Sequence, residues 1–198
     1  MTEKQVWKPG NMLYPVPAVM VTAADGNGKS DIITIAWTGT VCTNPPMLYI
    51  SVRPERYSYP MIRESGEFVV NMTTARLVRA ADFCGVRSGR DVDKWKETGL
   101  TPAEAQKVRA PLIAESPVNI ECRVTEVKEL GSHHMFLAEV LAVDVDESLL
   151  DVSGRLALEK ADPVVYSHGE YYGLSGLLGS FGYSVRKKDR RGNGRKKR

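Results

Sequence analysis

Two long runs in the second half of the chain limit the possible folds more than any other feature. From Asn119 to Val127, the residues Ile120, Cys122 and Val124 alternate with Asn119, Glu121, Arg123 and Thr125, the period-two signature of a half-buried strand. Glu129-Leu-Gly-Ser reads as a turn and His134 to Val145 as a long return strand. The first half repeats the theme with shorter units. Val16 to Ala24 reads as an apolar strand, Asp25-Gly-Asn-Gly-Lys-Ser as a turn rich in residues that tolerate positive φ, and Ile32 to Trp37 as the partner strand. Asn44-Pro-Pro breaks the chain before a strand at Met47–Val52, and Glu67–Met72 reads as another strand. Helical spacing is confined to short pieces: Tyr57–Ser65, with Pro60 tolerated near its first turn; Thr74–Cys84, with Leu77, Val78, Ala81 and Cys84 on one side; and Val92–Thr98. Gly85 to Gly89 reads as a loop. Strands at hairpin distances with few helices favour an antiparallel barrel with short peripheral helices over a doubly wound sheet.

A chain of 198 residues fits one decorated domain, and 42% apolar residues suffice for a core. No run approaches the roughly 20 apolar residues that a membrane helix needs. Met1 to Lys8 has no apolar signal-peptide core, so the expected location is the cytoplasm. Cys42, Cys84 and Cys122 are odd in number and widely spaced, and with only His133, His134 and His168 they form no metal-ligand pattern. The net charge of +3 hides an asymmetry. Nine Lys/Arg and one Asp between Arg186 and Arg198 carry +8, which leaves −5 on residues 1–185. The division expected is a domain over 1–180 and a basic, disordered tail over 181–198.

The stretch from Thr34 to Ser58 crowds hydroxyls, small residues and two arginines between apolar strands. A phosphorylated planar cofactor calls for such groups: hydroxyls and backbone N–H groups for a polar ring edge, an aromatic for shape, guanidiniums for a phosphate. The alternative is a β-rich core segment whose threonines serve strand propensity. Arg53, Arg56 and Ser58 follow a strand and open a short helix, where a phosphate can be held, or where a solvated pair with Glu55 can form. Cys42 lies in the same stretch, and a lone Cys among apolar neighbours reads more readily as small and buried than as a redox thiol. There is no GxGxxG after a strand and no Walker loop, so any nicotinamide would bind without a Rossmann domain.

Four stretches in register carry a resemblance: Ala36-Trp-Thr-Gly-Thr-Val-Cys-Thr-Asn-Pro-Pro-Met, Ser51-Val-Arg-Pro-Glu-Arg-Tyr-Ser-Tyr, Phe83-Cys-Gly-Val-Arg-Ser-Gly-Arg-Asp-Val-Asp-Lys-Trp and Gly131-Ser-His-His-Met-Phe-Leu-Ala-Glu-Val. In order and spacing the chain resembles the flavin reductase-like, FMN-binding split-barrel family, in its flavoredoxin-like branch, over roughly residues 10–175. The resemblance implies a mainly β, antiparallel split barrel, a homodimer, and FMN near the subunit interface. It implies that Trp37, Thr38, Gly39, Thr40, Val41, Cys42 and Asn44 line the flavin ring, and that Arg53, Arg56, Tyr57 and Ser58 hold its phosphate. Lys94 is either a further phosphate ligand or a surface lysine pairing with Asp91.

His133 occupies the histidine position of the family's Gly-Asp-His motif, a contact for nicotinamide or flavin, against the alternative of a solvent-facing hairpin residue. Ser132 replaces the usual acidic residue there, and Ala138 stands where Gly is common; these departures weaken nicotinamide handling more than FMN binding. The Gly- and aromatic-rich segment Tyr166–Tyr183 either folds over the flavin or the partner subunit, or links to the tail. The activity implied is hydride transfer from NADH or NADPH to flavin with onward electron transfer. The alternatives are an FMN electron carrier reduced by a protein partner, a nucleic-acid binder working through the tail, and a flavin or haem binder of split-barrel type. No metal site is expected.

Overall fold

The computed structural model describes residues 2–186. The chain runs β1 (Val16–Pro17), β2 (Val19–Ala24), β3 (Ser30–Ile35), β4 (Thr38–Cys42), β5 (Met47–Val52), α1 (Ser58–Ser65), β6 (Glu67–Met72), α2 (Val78–Val86), α3 (Lys94–Thr98), β7 (Pro102–Ala103), β8 (Leu112–Ile113), β9 (Val118–Leu130), β10 (His133–Val145), β11 (Val164–Ser167) and β12 (Glu170–Gly173). Seven strands form an antiparallel sheet in the order β3-β2-β6-β9-β10-β5-β4. Ile33 and Ile35 from one end of that order share a core with Leu48, Ile50 and Val52 from near the other, together with Val21, Phe68, Phe136 and Ile62 of α1. The sheet therefore curls around one interior, yet its edges β3 and β4 do not pair. This is the split barrel. Only Ala36 and Trp37 separate β3 from β4, so the chain itself steps across the split.

A second apolar layer covers the outer face of β2 and β3. Leu77, Ala81 and Cys84 pack with Met20, Ile32, Leu100 and Ile113. Burial on both faces explains why β2, Val-Met-Val-Thr-Ala-Ala, is apolar almost throughout rather than alternating.

Several local expectations change. The run Val16–Ala24 is two strands, because Pro17 has no N–H to continue a ladder; β1 leaves to pair with β11, while β2 pairs with β3 and β6. The helix expected from Thr74 begins at Val78, since Thr74 bridges Pro163 and the Ala75 N–H donates to the Asp162 carbonyl. It then runs through Gly85 to Val86 rather than yielding to a loop at Gly85. The last short helix starts at Lys94, capped by Asp93, whose carboxylate accepts from the Lys96 N–H.

The largest departure lies in β9. Asn119 and Glu121, expected on a solvent face, are 6% and 0% exposed, because the segment 104–113 lies over them. Their polarity is matched group by group. The Glu121 carboxylate accepts from the backbone N–H groups of Gln106, Lys107 and Val108 at 2.9, 2.6 and 3.1 Å. The Asn119 amide donates to Asn71 Oδ1 and the Ile113 carbonyl, and Asn71 accepts from the Ile113 N–H. The alternation in sequence is intact; the polar face is simply roofed. Glu121→Ala is expected to cost at least about 3 kcal/mol, because three N–H donors lose a charged acceptor, with Glu121→Gln less damaging. Urea unfolding checks this, and a loss under about 1 kcal/mol would show that the roof is not held this way.

Candidate functional site

The split leaves a cleft of about 620 Å³. Its inner wall is the end of β3 and the crossing link, with Thr34, Ala36 and Trp37. Ser51 at the end of β5 and Arg53 and Arg56 just after it flank the cleft, Ser132 and His133 enter from the β9–β10 turn, and Asp82 and Gly85 come from α2. The β11–β12 hairpin, carried to this place by its pairing with β1, adds Tyr166, Gly169 and Tyr171. The aromatic end is knit together: Tyr14 packs 6.1 Å from Trp37 and 4.3 Å from His168, and Tyr166 lies edge-on to Tyr171 at 5.7 Å, all between ring centroids. The Tyr171 hydroxyl donates to Asp82 at 3.3 Å. Burial first, then the Asp82 carboxylate, push its phenol up to about 12.

A second cleft of about 380 Å³ continues from the first, sharing Ile33, Arg53 and Arg56 and adding Glu55, Tyr57, Ser58, Cys84, Arg87, Ser88, Arg90 and Lys94. Beneath it is a buried polar knot. Lys94 Nζ donates to Asp31 Oδ2 at 3.3 Å, to the Ile32 carbonyl at 2.5 Å and to the Cys84 carbonyl at 3.3 Å, and the Ser58 hydroxyl donates to the same Asp31 oxygen. Asp31 and Lys94 side chains are each only 3% exposed.

The sequence-chosen residues thus divide. Trp37, Arg53, Arg56 and His133 come together in the first cleft, and Arg53, Arg56, Tyr57, Ser58 and Lys94 in the second. Lys94 is not the surface lysine paired with Asp91: it is buried, and its carboxylate partner is Asp31, inward-facing on β3. Ser58 is 1% exposed, with its proton committed to Asp31. Thr38, Gly39, Thr40, Val41, Cys42 and Asn44 line neither cleft. They belong to edge strand β4 and its turn, where Thr38 donates to the Tyr49 carbonyl at 2.7 Å, a Cβ on Gly39 would press on the Tyr49 ring at 3.2 Å, and Val41 is 51% exposed.

Sequence reasoning passed over Thr34, Ser51, Asp82 and the Arg87–Arg90 loop. Thr34 opens the crowded stretch, Ser51 lies within it and the loop lies within the Phe83–Trp95 motif, whereas Asp82 carries no such signal. Of the Tyr166–Tyr183 segment, the hairpin part reaches the cleft, whereas Leu177, Leu178 and Phe181 are 89%, 93% and 105% exposed. The basic tail falls largely outside the described residues; of 181–198, only 181–186 are described, with a single 3-10 turn at Tyr183–Val185. Among the described residues no group of His, Cys, Asp and Glu is arranged to hold a metal ion, and no helix is long and apolar enough to cross a membrane.

A flavin reductase like domain matches residues 11–175. The chain belongs to the flavin reductase-like family. In three dimensions it resembles the flavoredoxin of Desulfovibrio vulgaris (Miyazaki F), with a TM-score of 0.87 and 32% identity over 93% of this chain and 100% of that one, which places it on the flavoredoxin branch. An uncharacterized protein of Aeropyrum pernix is 36% identical over 78% of this chain, which spans only 58% of that relative's length. A flavin reductase of Pseudomonas putida is 27% identical, over 69% of this chain and 78% of its own.

The cleft's electrostatics centre on His133. Burial, then the Arg53 guanidinium, disfavour its imidazolium; Glu55 pulls the other way, and Arg56 adds a push weaker than either. The ring therefore gives up its proton below the ordinary histidine value of about 6.5 and is neutral at pH 7. An NMR titration is expected to show this depressed midpoint in the parent and a rise toward the ordinary value in Arg53→Ala. An unchanged midpoint would remove Arg53 from the histidine's surroundings.

Proposed function

We propose that this protein is an FMN-dependent oxidoreductase of flavin reductase type, taking hydride from NADH or NADPH and passing electrons onward. One observation carries the reading: an aromatic-walled cleft at the split of the barrel opens, through the shared Arg53 and Arg56, into a cleft lined by cations. A planar ring attached to a phosphate has that shape and charge.

The residues fit the group. Arg56 has no carboxylate within 4.0 Å among the described residues, and Arg53 has only the exposed Glu55 at 3.5 Å; both are free to turn to a phosphate. Trp37 and Tyr171 wall the space for a ring, and Thr34 and Ser51 border it. Bound there, FMN would supply the two-electron chemistry. The chain's own residues position and tune. Arg53 and Arg56 neutralise phosphate charge, His133 meets the ring as a neutral imidazole, and the Tyr166–Tyr171 hairpin limits access of water. Two copies are proposed to associate, as the exposure of Val41 on β4 and of Trp7 and Leu13 in the N-terminal arm, at 51%, 73% and 88%, supports.

A second reading is an electron carrier reduced by a protein partner. It draws on the likeness to flavoredoxin and on Ser132 in place of an acidic residue beside His133.

An anaerobic spectrum of the protein with FMN, recorded before and after NADH and then NADPH, tests the proposal. Bleaching of the flavin band is expected. A bound flavin that stays oxidised under both donors would replace reductase by carrier, and absence of FMN binding would end both readings. Arg53→Ala and Arg56→Ala should each weaken FMN about tenfold or more, the scale of a charge-assisted hydrogen bond. Ser58→Ala should instead lower stability, since it releases the buried Asp31 from a donor.

A further inference from the structure

His133 lines the first cleft, yet its ring is tied only to its own neighbour. Among the described residues its ring nitrogens have one partner, Ser132 Oγ at 3.0 Å from Nδ1, and Ser132 belongs to the same turn. The ladder adds little. His133 pairs with Leu130 across the β9–β10 hairpin, but β10 meets β5 only from His134 onward, where His134 lies opposite Val52. His134 is therefore the first residue of β10 held on both sides, by Glu129 and by Val52. Arg53 follows Val52 directly, so this rung adjoins two groups of the cleft.

Successive strand residues point to opposite faces. The His134 ring accordingly turns inward, on the same face as the fully buried Phe136. It is 16% exposed and packs edge-on to Tyr59 of α1 at 5.4 Å between ring centroids, and Tyr59 packs edge-on to Phe136 at 5.5 Å. The Tyr59 hydroxyl lies 2.6 Å from His134 Nδ1 and accepts from Arg63 Nη1 at 2.9 Å. A guanidinium can only donate. Were Nδ1 also to donate, the hydroxyl would accept twice, and its own proton would have no acceptor among the described residues. The bonds therefore run from Arg63 to Tyr59 to His134. Nδ1 is the acceptor, and the proton of the neutral ring is on Nε2. Glu129 completes the cluster, 3.4 Å from Arg63 Nη1 and 3.9 Å from Nδ1.

We infer that Tyr59 and His134 are positioning residues for His133: the chain of bonds from Arg63 through Tyr59 to His134 clamps α1 to the first two-sided rung of β10, and so holds the His133 imidazole at the cleft beside Arg53. The part His133 plays there rests on the flavin reading; the clamp itself does not.

Nitrogen NMR of the histidine rings, on the full chain without flavin, tests the clamp first. At alkaline pH His134 should show a bare Nδ1 and a protonated Nε2; the opposite tautomer would overturn the inference without any substitution. Tyr59→Phe keeps the ring on Phe136 and removes only the hydroxyl. It should raise the His133 midpoint toward the ordinary value, although Tyr59 does not itself act on that ring, because a loosened His133 loses the burial and the nearness to Arg53 that depress it. His134→Leu should do the same. His134→Asn, whose Oδ1 keeps an acceptor near the place of Nδ1, should restore the parent midpoint. A midpoint unmoved in both Tyr59→Phe and His134→Leu, whatever happens to the melting temperature, would reduce the cluster to a structural contact and end the inference. With FMN and a nicotinamide donor, Tyr59→Phe should slow flavin bleaching about tenfold or more and leave FMN affinity within about threefold. A moved midpoint with unchanged bleaching would uphold the clamp and take His133 out of the flavin reading. If the parent binds no FMN, that reading falls, and the NMR midpoints still decide the clamp.

Discussion

The contact of Lys94 with Asp31 holds the cation-lined half of the site in place. Lys94 opens α3 and Asp31 is on β3; the lysine also reaches the carbonyls of Ile32 and Cys84, and Ser58 at the start of α1 donates to the same carboxylate. Four elements therefore converge on two buried charges. Isolated, either charge would cost several kcal/mol in this dry setting; together, with every Lys94 proton accepted, they are tolerable and directional. Arg53 and Arg56 enter α1, and Arg87 and Arg90 bridge α2 and α3. Their relative placement is inherited from the knot, not from contacts of their own, which are few and exposed.

The open cleft has a topological origin. A seven-stranded sheet that closed would pair β3 with β4 and bury the link between them. Here the link is two residues long, and the Trp37 carbonyl accepts from the Ser51 N–H at 2.8 Å, which fixes the link to β5 rather than letting β4 reach β3. Close packing of α2 on β3 completes the wall: a Cβ on Gly85 would press on Thr34 at 3.2 Å, and the Thr34 hydroxyl donates to the Ala81 carbonyl. The small residues at this position serve the approach of a helix to a strand as much as the approach of a ligand.

Much of this was legible from local pattern. The β9–β10 hairpin follows from strict alternation, and the β2–β3 hairpin from apolar runs around Asp25-Gly-Asn-Gly. The basic lining around Arg53 and Arg56 follows from arginines placed between a strand and a helix. The missed features are those that depend on what lies over a face. Nothing beside Glu121 in sequence announces that Gln106 to Val108 will roof it, and Lys94 lies 63 residues from its partner Asp31. Thr34 and Thr38 are equally good strand residues; which of them meets the cleft depends on where the barrel splits, a global property. The hydroxyls between Thr38 and Asn44 are visible in sequence; the sheet edge that keeps them from both clefts is not.

The chemistry of the lining groups limits what the protein itself can do. Cys84 borders the cationic cleft, but burial pushes its thiol up to about 12, and burial does the same to Cys122; neither supplies a thiolate near neutral pH. Guanidiniums stay protonated, and Tyr171 keeps its proton, held by burial and Asp82. His133 is already neutral at pH 7 because burial first, and Arg53 second, disfavour its imidazolium. The cleft thus offers no thiolate and no phenolate near neutral pH, and a histidine whose imidazolium is disfavoured. A site so built favours reactions in which a bound group carries the electrons, with the chain providing fixed positive charge, a ring-shaped space and an aromatic wall.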